Sequence, residues 1–407
     1  MERQRVTFFY ERWRALSAGM IETLHLSFIL VIAIRYFGAN NLIQGLLATT
    51  WAIGLFLSPF SVAMIRRLNW SPAKGAAFLV YSMSASFLVA GLGSFAPHST
   101  NLLLFTIFIL LGINCVTLTI PLLTEIYQQN YPAKKRGQLF AWSSMIKVGA
   151  TALFAYFAGA LLTVDINYTP YFLIVLSLAA FISACLLSRV PSCEVVPIVS
   201  KESSLNPFHA LSFLRSDRAF LILSLSWMFI GFGNLMMLPL RVKLLAEEVY
   251  GHAYSIGMIS LVVTVITPVT QLSLSFAWGK LFDKMNIFML RILINVFFIS
   301  SHGCFFLMDN FLGFIIGAIL LGAAFSGGDI AWSLWVTKIA PKNHVADYMS
   351  VHTFLTGCRA FVAPLIAVLM ASYVPLNQIA YMSIFLMTIS IVVLLPEVWS
   401  IRNAERL

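Results

Sequence analysis

Runs of about 20 mainly apolar residues, separated by short charged turns, recur along the whole chain, and a run of that length and character spans a bilayer as a helix. In hydrocarbon every backbone N–H and C=O must be satisfied internally, which leaves a helix as the form for each run. Reading at that length gives twelve segments: roughly 14–37, 41–65, 72–95, 100–126, 138–163, 168–189, 219–241, 254–279, 287–307, 311–337, 345–371 and 376–396. Hydrophobic residues make up 60% of the 407 and charged residues only 10%, a balance that excludes a string of soluble domains. The expected fold class is an all-α integral membrane protein with twelve transmembrane helices.

The net charge of +10 invites a nucleic-acid reading, so the positions of the basic residues decide. With the N-terminus inside, 21 of the 26 Lys and Arg residues fall on the tails and loops of one side. Lys and Arg are retained on the cytoplasmic side, so both termini are expected there. The basic balance is then a topology signal, and no nucleic-acid partner is expected. The apolar run after the basic N-terminus is too long for a signal peptide and has no small-residue cleavage site, so the N-terminus reads as a cytoplasmic tail. The five cysteines, Cys115, Cys185, Cys193, Cys304 and Cys358, lie in or beside apolar segments without metal-ligand spacing, and neither metal nor disulfide chemistry is expected. The chain is expected in a plasma membrane or bacterial inner membrane, as a monomer with the lipid bilayer and a small-molecule substrate as its partners.

The longest polar connection, residues 190–218, contains Pro191, Pro197 and Pro207 and divides the chain into halves of six spans, 1–189 and 219–407. After the eighth segment comes Gly279-Lys280-Leu281-Phe282-Asp283-Lys284-Met285-Asn286, a charged turn between two membrane helices. After the second comes Ser61-Val62-Ala63-Met64-Ile65-Arg66-Arg67-Leu68-Asn69-Trp70, which aligns with it although Val62 replaces the Gly and Arg66 the Asp. The turn at 279–286 resembles the signature loop of the major facilitator superfamily of transporters, with Asn286 where a second Gly is usual. With twelve spans in a 6 + 6 arrangement, the resemblance covers essentially the whole chain. It implies two six-helix bundles rocking about a central cavity, with Gly279, Asp283, Lys284, Arg66 and Arg67 as a conformational latch that touches no substrate.

Ionisable side chains inside a span cost about 2.5–3.5 kcal/mol each near its centre, so they face a cavity or a partner. Glu22 and His25 lie three residues apart in the first span, on one helical face. Lys147 lies in the fifth, and Asp329 follows Ser326-Gly327-Gly328 in the tenth, with Trp332 beyond it. His352, Thr356 and Arg359 recur at i, i+4 and i+7 in the eleventh, forming one stripe. Two readings are open. In one, Glu22, Asp329 and His25 carry protons, while Lys147, Arg359, His352, Thr356 and Trp332, with Asn114, Trp227, Asn234 and Gln271, bind a solute. In the other the charges lock helices in pairs, Glu22 with Lys147 and Asp329 with Arg359, and the polar residues pack helix against helix.

No phosphate-binding Gly-Lys-Ser/Thr loop and no nucleophile with its base occurs in the short loops, so no enzyme is expected. A proton or other ion gradient, with no cofactor, is the expected driving force. The function expected is secondary active transport of an organic anion or zwitterion, proton-coupled. An exporter of amphipathic solutes or drugs, and a non-transporting receptor or assembly factor of the same fold, are the alternatives.

Overall fold

The computed structural model of the chain describes residues 2–96, 98–192, 208–246, 250, 254, 258–259, 261–308, 310–371 and 373–404. Most of the expected central loop, 193–207 with Cys193, lies outside these. Among the described residues there is no strand.

Among the described residues, twelve long helical runs follow one another. The first, α1, is Glu2–Thr23 continued through a π-helical turn, Leu24–Phe28, into Ile29–Arg35. The second, α2, comprises Asn41–Ala48, Thr50–Phe56 and Ser58–Leu68; its last two pieces bend by 47°. Pro59, at the start of the last piece, has no N–H to carry the helix through, which accounts for the break. Then come α3 (Pro72–Gly93), α4 (His98–Leu118 with Ile120–Asn130), α5 (Arg136–Val164) and α6 (Thr169–Leu187). The second set is α7 (Arg218–Ala246), α8 (Leu261–Ile266 with Thr267–Lys284), α9 (Ile287–Leu307), α10 (Phe311–Leu334), α11 (Val345–Met370) and α12 (Leu376–Val392). Among the described residues, ten of the helices are long and apolar enough to cross a membrane, and the bent pair in α2 makes eleven. The helical run from Glu2 to Arg35 stands outside that count.

Local chemistry sets the helix ends. The Ser71 hydroxyl accepts from Lys74 N–H with Pro72 in the first turn, and the Asn286 and Asn310 amide oxygens accept from Phe288 and Gly313 N–H, so α3, α9 and α10 start on side-chain caps. Asn69, at φ 50°, takes the left-handed conformation that ends α2.

Contacts divide the chain into two compact units. The first contains Met1–Pro132, Trp142–Ala210 and Pro341–Gly357, and the second Ala133–Ala141, Leu211–Ala340 and Cys358–Leu407. Within the first, Ser84 of α3 and Ser177 of α6 each donate to the other's carbonyl, at 2.9 and 2.7 Å. Such hydrogen bonds join helices whose surroundings offer no hydrophobic driving force. Leu24, Ile32, Phe87, Phe105 and Leu173 fill its core. In the second unit, Met237, Phe305, Phe314 and Ile379 are buried together. There α8 and α10 approach through glycine: a Cβ on Gly322 would stand 2.4 Å from the Thr267 carbonyl oxygen, which is backbone and cannot yield.

Gly322→Ala is therefore expected to cost about 1–3 kcal/mol by overpacking. A Cβ on Gly303 in α9 meets nothing within 4 Å, and Gly303→Ala is expected to be neutral or stabilising by up to about 1 kcal/mol. Thermal unfolding of the two purified variants separates the cases; equal midpoints would contradict the α8–α10 packing.

Candidate functional site

In the first unit α1 and α5 meet at Gly19. A Cβ there would lie 2.4 Å from the Lys147 carbonyl oxygen, so only glycine allows the backbones this close. The Thr151 hydroxyl donates to Gly19 O at 3.0 Å and lies 2.9 Å from Lys147 O. One turn along α1, this crossing brings Glu22 to Lys147, with Oε2 and Nζ 2.9 Å apart. The side chains keep 29% and 38% of their surface exposed, so the pair is accessible rather than sealed. His25 follows in the π-helical turn, a kind of turn frequent at functional sites, and stacks on Trp51 with ring centroids 4.9 Å apart. Asn114 sits elsewhere: its amide donates to Leu110 O within α4, and it lies against Gly54 of α2 as a packing residue. His352 and Thr356 also belong to this unit; both are buried, and the Thr356 hydroxyl donates to His352 O at 2.8 Å.

The second unit holds Asp329, Gln271, Trp227, Asn234 and Arg359. Asp329 is exposed and accepts from the Gln271 side-chain amide at 2.5 Å. Ser326, one turn earlier, donates to Gln271 O at 2.9 Å, so α8 and α10 share one polar face. Trp332 is half-buried on α10, and Asn234 is buried on α7. The pairing of Asp329 with Arg359 does not form. Arg359 is buried, donates to the Trp227 carbonyl and packs in the space left by Gly231, where a Cβ would come 2.4 Å from its guanidinium carbon.

Two further clusters hold the charged turns. In the second unit the Asp283 carboxylate accepts from Gly137 N–H at 2.6 Å and Gln138 N–H at 3.1 Å, the first free donors of α5. Gly279 permits this, since its Cβ would lie 2.9 Å from Gly137 O. Lys338 Nζ donates to Met285 O at 2.7 Å; burial pushes its ammonium below the usual lysine range, against the pull of nearby Asp283. Lys284 is exposed. In the first unit Arg66 pairs with Asp347 in the first turn of α11, and His344 Nδ1 lies 3.0 Å from the same carboxylate. Arg67 is exposed.

Sequence reading missed two groups. Glu11 is buried, bonded by Arg14 at 2.5 and 2.7 Å and by the Tyr127 hydroxyl at 2.5 Å, where a solvated tail was expected. A Glu and an Arg three apart ahead of an apolar run was the available signal. Arg291, counted among the loop cations, is fully buried in α9 with its guanidinium carbon 3.4 Å from the centroid of the Trp227 ring. Its position five residues inside the α9 cap was the signal.

A sequence model of the Major Facilitator Superfamily matches residues 15–308. The chain belongs to the Major Facilitator Superfamily. Solved structures from the superfamily repeat the fold. The human organic anion transporter MFSD10 superposes with a TM-score of 0.74 at 13% identity, covering 96% of this chain and 99% of its own. The E. coli fucose:proton symporter FucP gives 0.72 at 10%, covering 95% and 97%. The proton:xylose symporter XylE gives 0.68 at 15%, covering 96% and 95%. At these identities the likeness is one of fold. The sequence matches no curated protein. As a member of this superfamily the chain is a multi-pass membrane protein and a secondary transporter, not an enzyme.

The two charged-turn clusters solve one electrostatic problem with opposite signs. A helix N-terminus carries about half a positive charge and attracts an anion. α5 has no acid in its first turn, and Asp283 supplies one from the α8–α9 turn. α11 carries its own acid, Asp347, so the corresponding turn supplies a cation, Arg66. The replacement of Asp by Arg at position 66 is thus matched by its partner. Arg66→Glu alone places three carboxylates together with Asp347 and the buried Glu125, and is expected to destabilise by about 3–5 kcal/mol. Combining it with Asp347→Arg is expected to recover at least half of that loss in thermal unfolding. Additive losses in the double variant would contradict a direct pair.

Proposed function

We propose that the chain moves a small organic anion or zwitterion across its membrane by alternating access, coupled to protons. The observation that carries the reading is the Glu22–Lys147 pair: two opposite charges at the crossing of α1 and α5 that remain partly exposed. A pair serving only to lock helices gains most when covered, whereas an accessible one exchanges its partner for a solute or a proton. Asp329, also exposed, is the second candidate proton carrier. Arg359 supports the anionic preference, because it is a membrane-embedded cation with no carboxylate partner among the described residues. A receptor or assembly role, for which every intramembrane charge should be paired, fits this arginine poorly. The names of the similar structures add an organic anion transporter and two proton symporters, which supports the same reading.

The moving parts in this reading are the halves 1–189 and 219–407, with Asp283 and Arg66 latching the closed state. Each latch joins residues from both sequence halves, Gly137 with Asp283 and Arg66 with Asp347. Function as a monomer in the plasma membrane or bacterial inner membrane, driven by an ion gradient without a cofactor, completes the proposal.

Uptake into proteoliposomes with an imposed proton gradient tests it, with anionic, zwitterionic and neutral solutes compared side by side. Accumulation of an anionic or zwitterionic solute is expected, falling more than about tenfold in Glu22→Gln or Asp329→Asn while downhill exchange continues. Undiminished accumulation in both variants would remove the carboxylates from the coupling. Uptake of neutral solutes alone would remove the anion preference.

A further inference from the structure

Arg291 of α9 and Arg359 of α11 lie against the same indole, with guanidinium carbons 3.4 and 6.0 Å from the Trp227 ring centroid. Arg291 is 0% exposed and Arg359 5%. All three Arg291 side-chain nitrogens and Arg359 Nε are buried without a hydrogen-bond acceptor. Every described carboxylate of this unit is engaged elsewhere. Asp217 caps α7 through Phe220 N–H, Asp283 caps α5, Asp329 binds Gln271, and Glu397 pairs with Arg218 at 2.9 Å. The indole face attracts one cation, but that attraction is smaller than the cost of burying even one ion, and here two cations share it. Each guanidinium also repels the other. The surroundings add further polar groups: Asn295, one turn beyond Arg291, is fully buried, and its amide donates to Ser390 Oγ at 2.8 Å and lies 3.4 Å from Ser226 Oγ, beside Trp227.

We propose that Arg291 and Arg359, backed by Trp227, form a binding site for a small inorganic anion of the halide class within the second unit. Two guanidiniums on one indole, with donors that lack acceptors, provide charge and directed N–H groups, and their burial admits only a compact ion that sheds its water. The bound anion neutralises the two cations and supplies the acceptor that Arg291 lacks. The site is separate from the Glu22–Lys147 pair and from Asp329; it shares Arg359 with the anion preference proposed above, and its test reads bound halide rather than solute transport.

The test is thermal unfolding of the purified full chain in sodium chloride or sodium gluconate at matched ionic strength. Raising chloride from about 1 to about 100 mM is expected to lift the midpoint by roughly 2–5 °C and to saturate, with bromide replacing chloride and gluconate without effect. Arg291→Met is expected to abolish the halide response and, in gluconate, to unfold no earlier than wild type, because an apolar chain replaces an unneutralised buried charge. Arg359→Gln is expected to weaken the response at least tenfold in chloride concentration, and it serves alone should Arg291→Met fail to fold. Equilibrium dialysis against bromide should find one ion per wild-type chain. An equal rise in gluconate, a halide response intact in Arg359→Gln, or no bound bromide would each overturn the site.

Discussion

An ion inside an apolar slab has to be neutralised, bonded or kept in reach of water, because leaving it bare costs more than any single packing contact returns. This constraint orders the structure more than hydrophobicity does, since lipid is as apolar as leucine and does not drive helices together. What brings α1 to α5 is the absence of a side chain at Gly19 and the hydroxyl of Thr151, and what that approach achieves is contact between Glu22 and Lys147. The same logic holds at Gly279, where backbone meets backbone and Asp283 reaches two free N–H groups.

The two charged turns show how a motif can change its letters and keep its physics. What the start of α5 needs is negative charge, and the α8–α9 turn provides it. The start of α11 already has that charge in Asp347, which leaves the carboxylate, not the helix, in need of a partner. Arg66 answers it, and His344 shares the same oxygen. A reading by letters counts Arg66 as a lost Asp, whereas a reading by charge counts a pair.

The spans were legible because apolar run length is a local property. The pairing of Glu22 with Lys147 was legible as one of two options, since opposite charges at similar depth are few. Asp329 and Arg359 satisfied the same rule of depth and yet do not meet. Depth follows from sequence position, but azimuth follows from which faces pack, and glycines at 322, 327 and 231 set that through contacts far away in sequence. Arg291 was misplaced for a related reason: a cation five residues past a cap reads as a loop charge until the tryptophan that covers it is known. Glu11 was passed over because a helix that continues before the membrane run leaves no hydrophobic trace.

The units differ in their balance of buried charge, and that difference has a direction. In the first, the embedded lysine is matched by Glu22, so the α1–α5 crossing is neutral and partly open. In the second, Asp329 accepts from the Gln271 amide, while Arg291 and Arg359 lie together on the Trp227 indole. Charges that nothing nearby screens set the potential of their surroundings, and low dielectric extends their reach. In the second unit that potential favours an anion at the arginines themselves, the place of the proposed halide, whereas the first unit favours none until its pair opens. Protonating Glu22 would release Lys147 and give the first unit the same preference. Under the coupling proposed above, a proton and an anion would be taken up together, because the charge of one exposes the partner of the other.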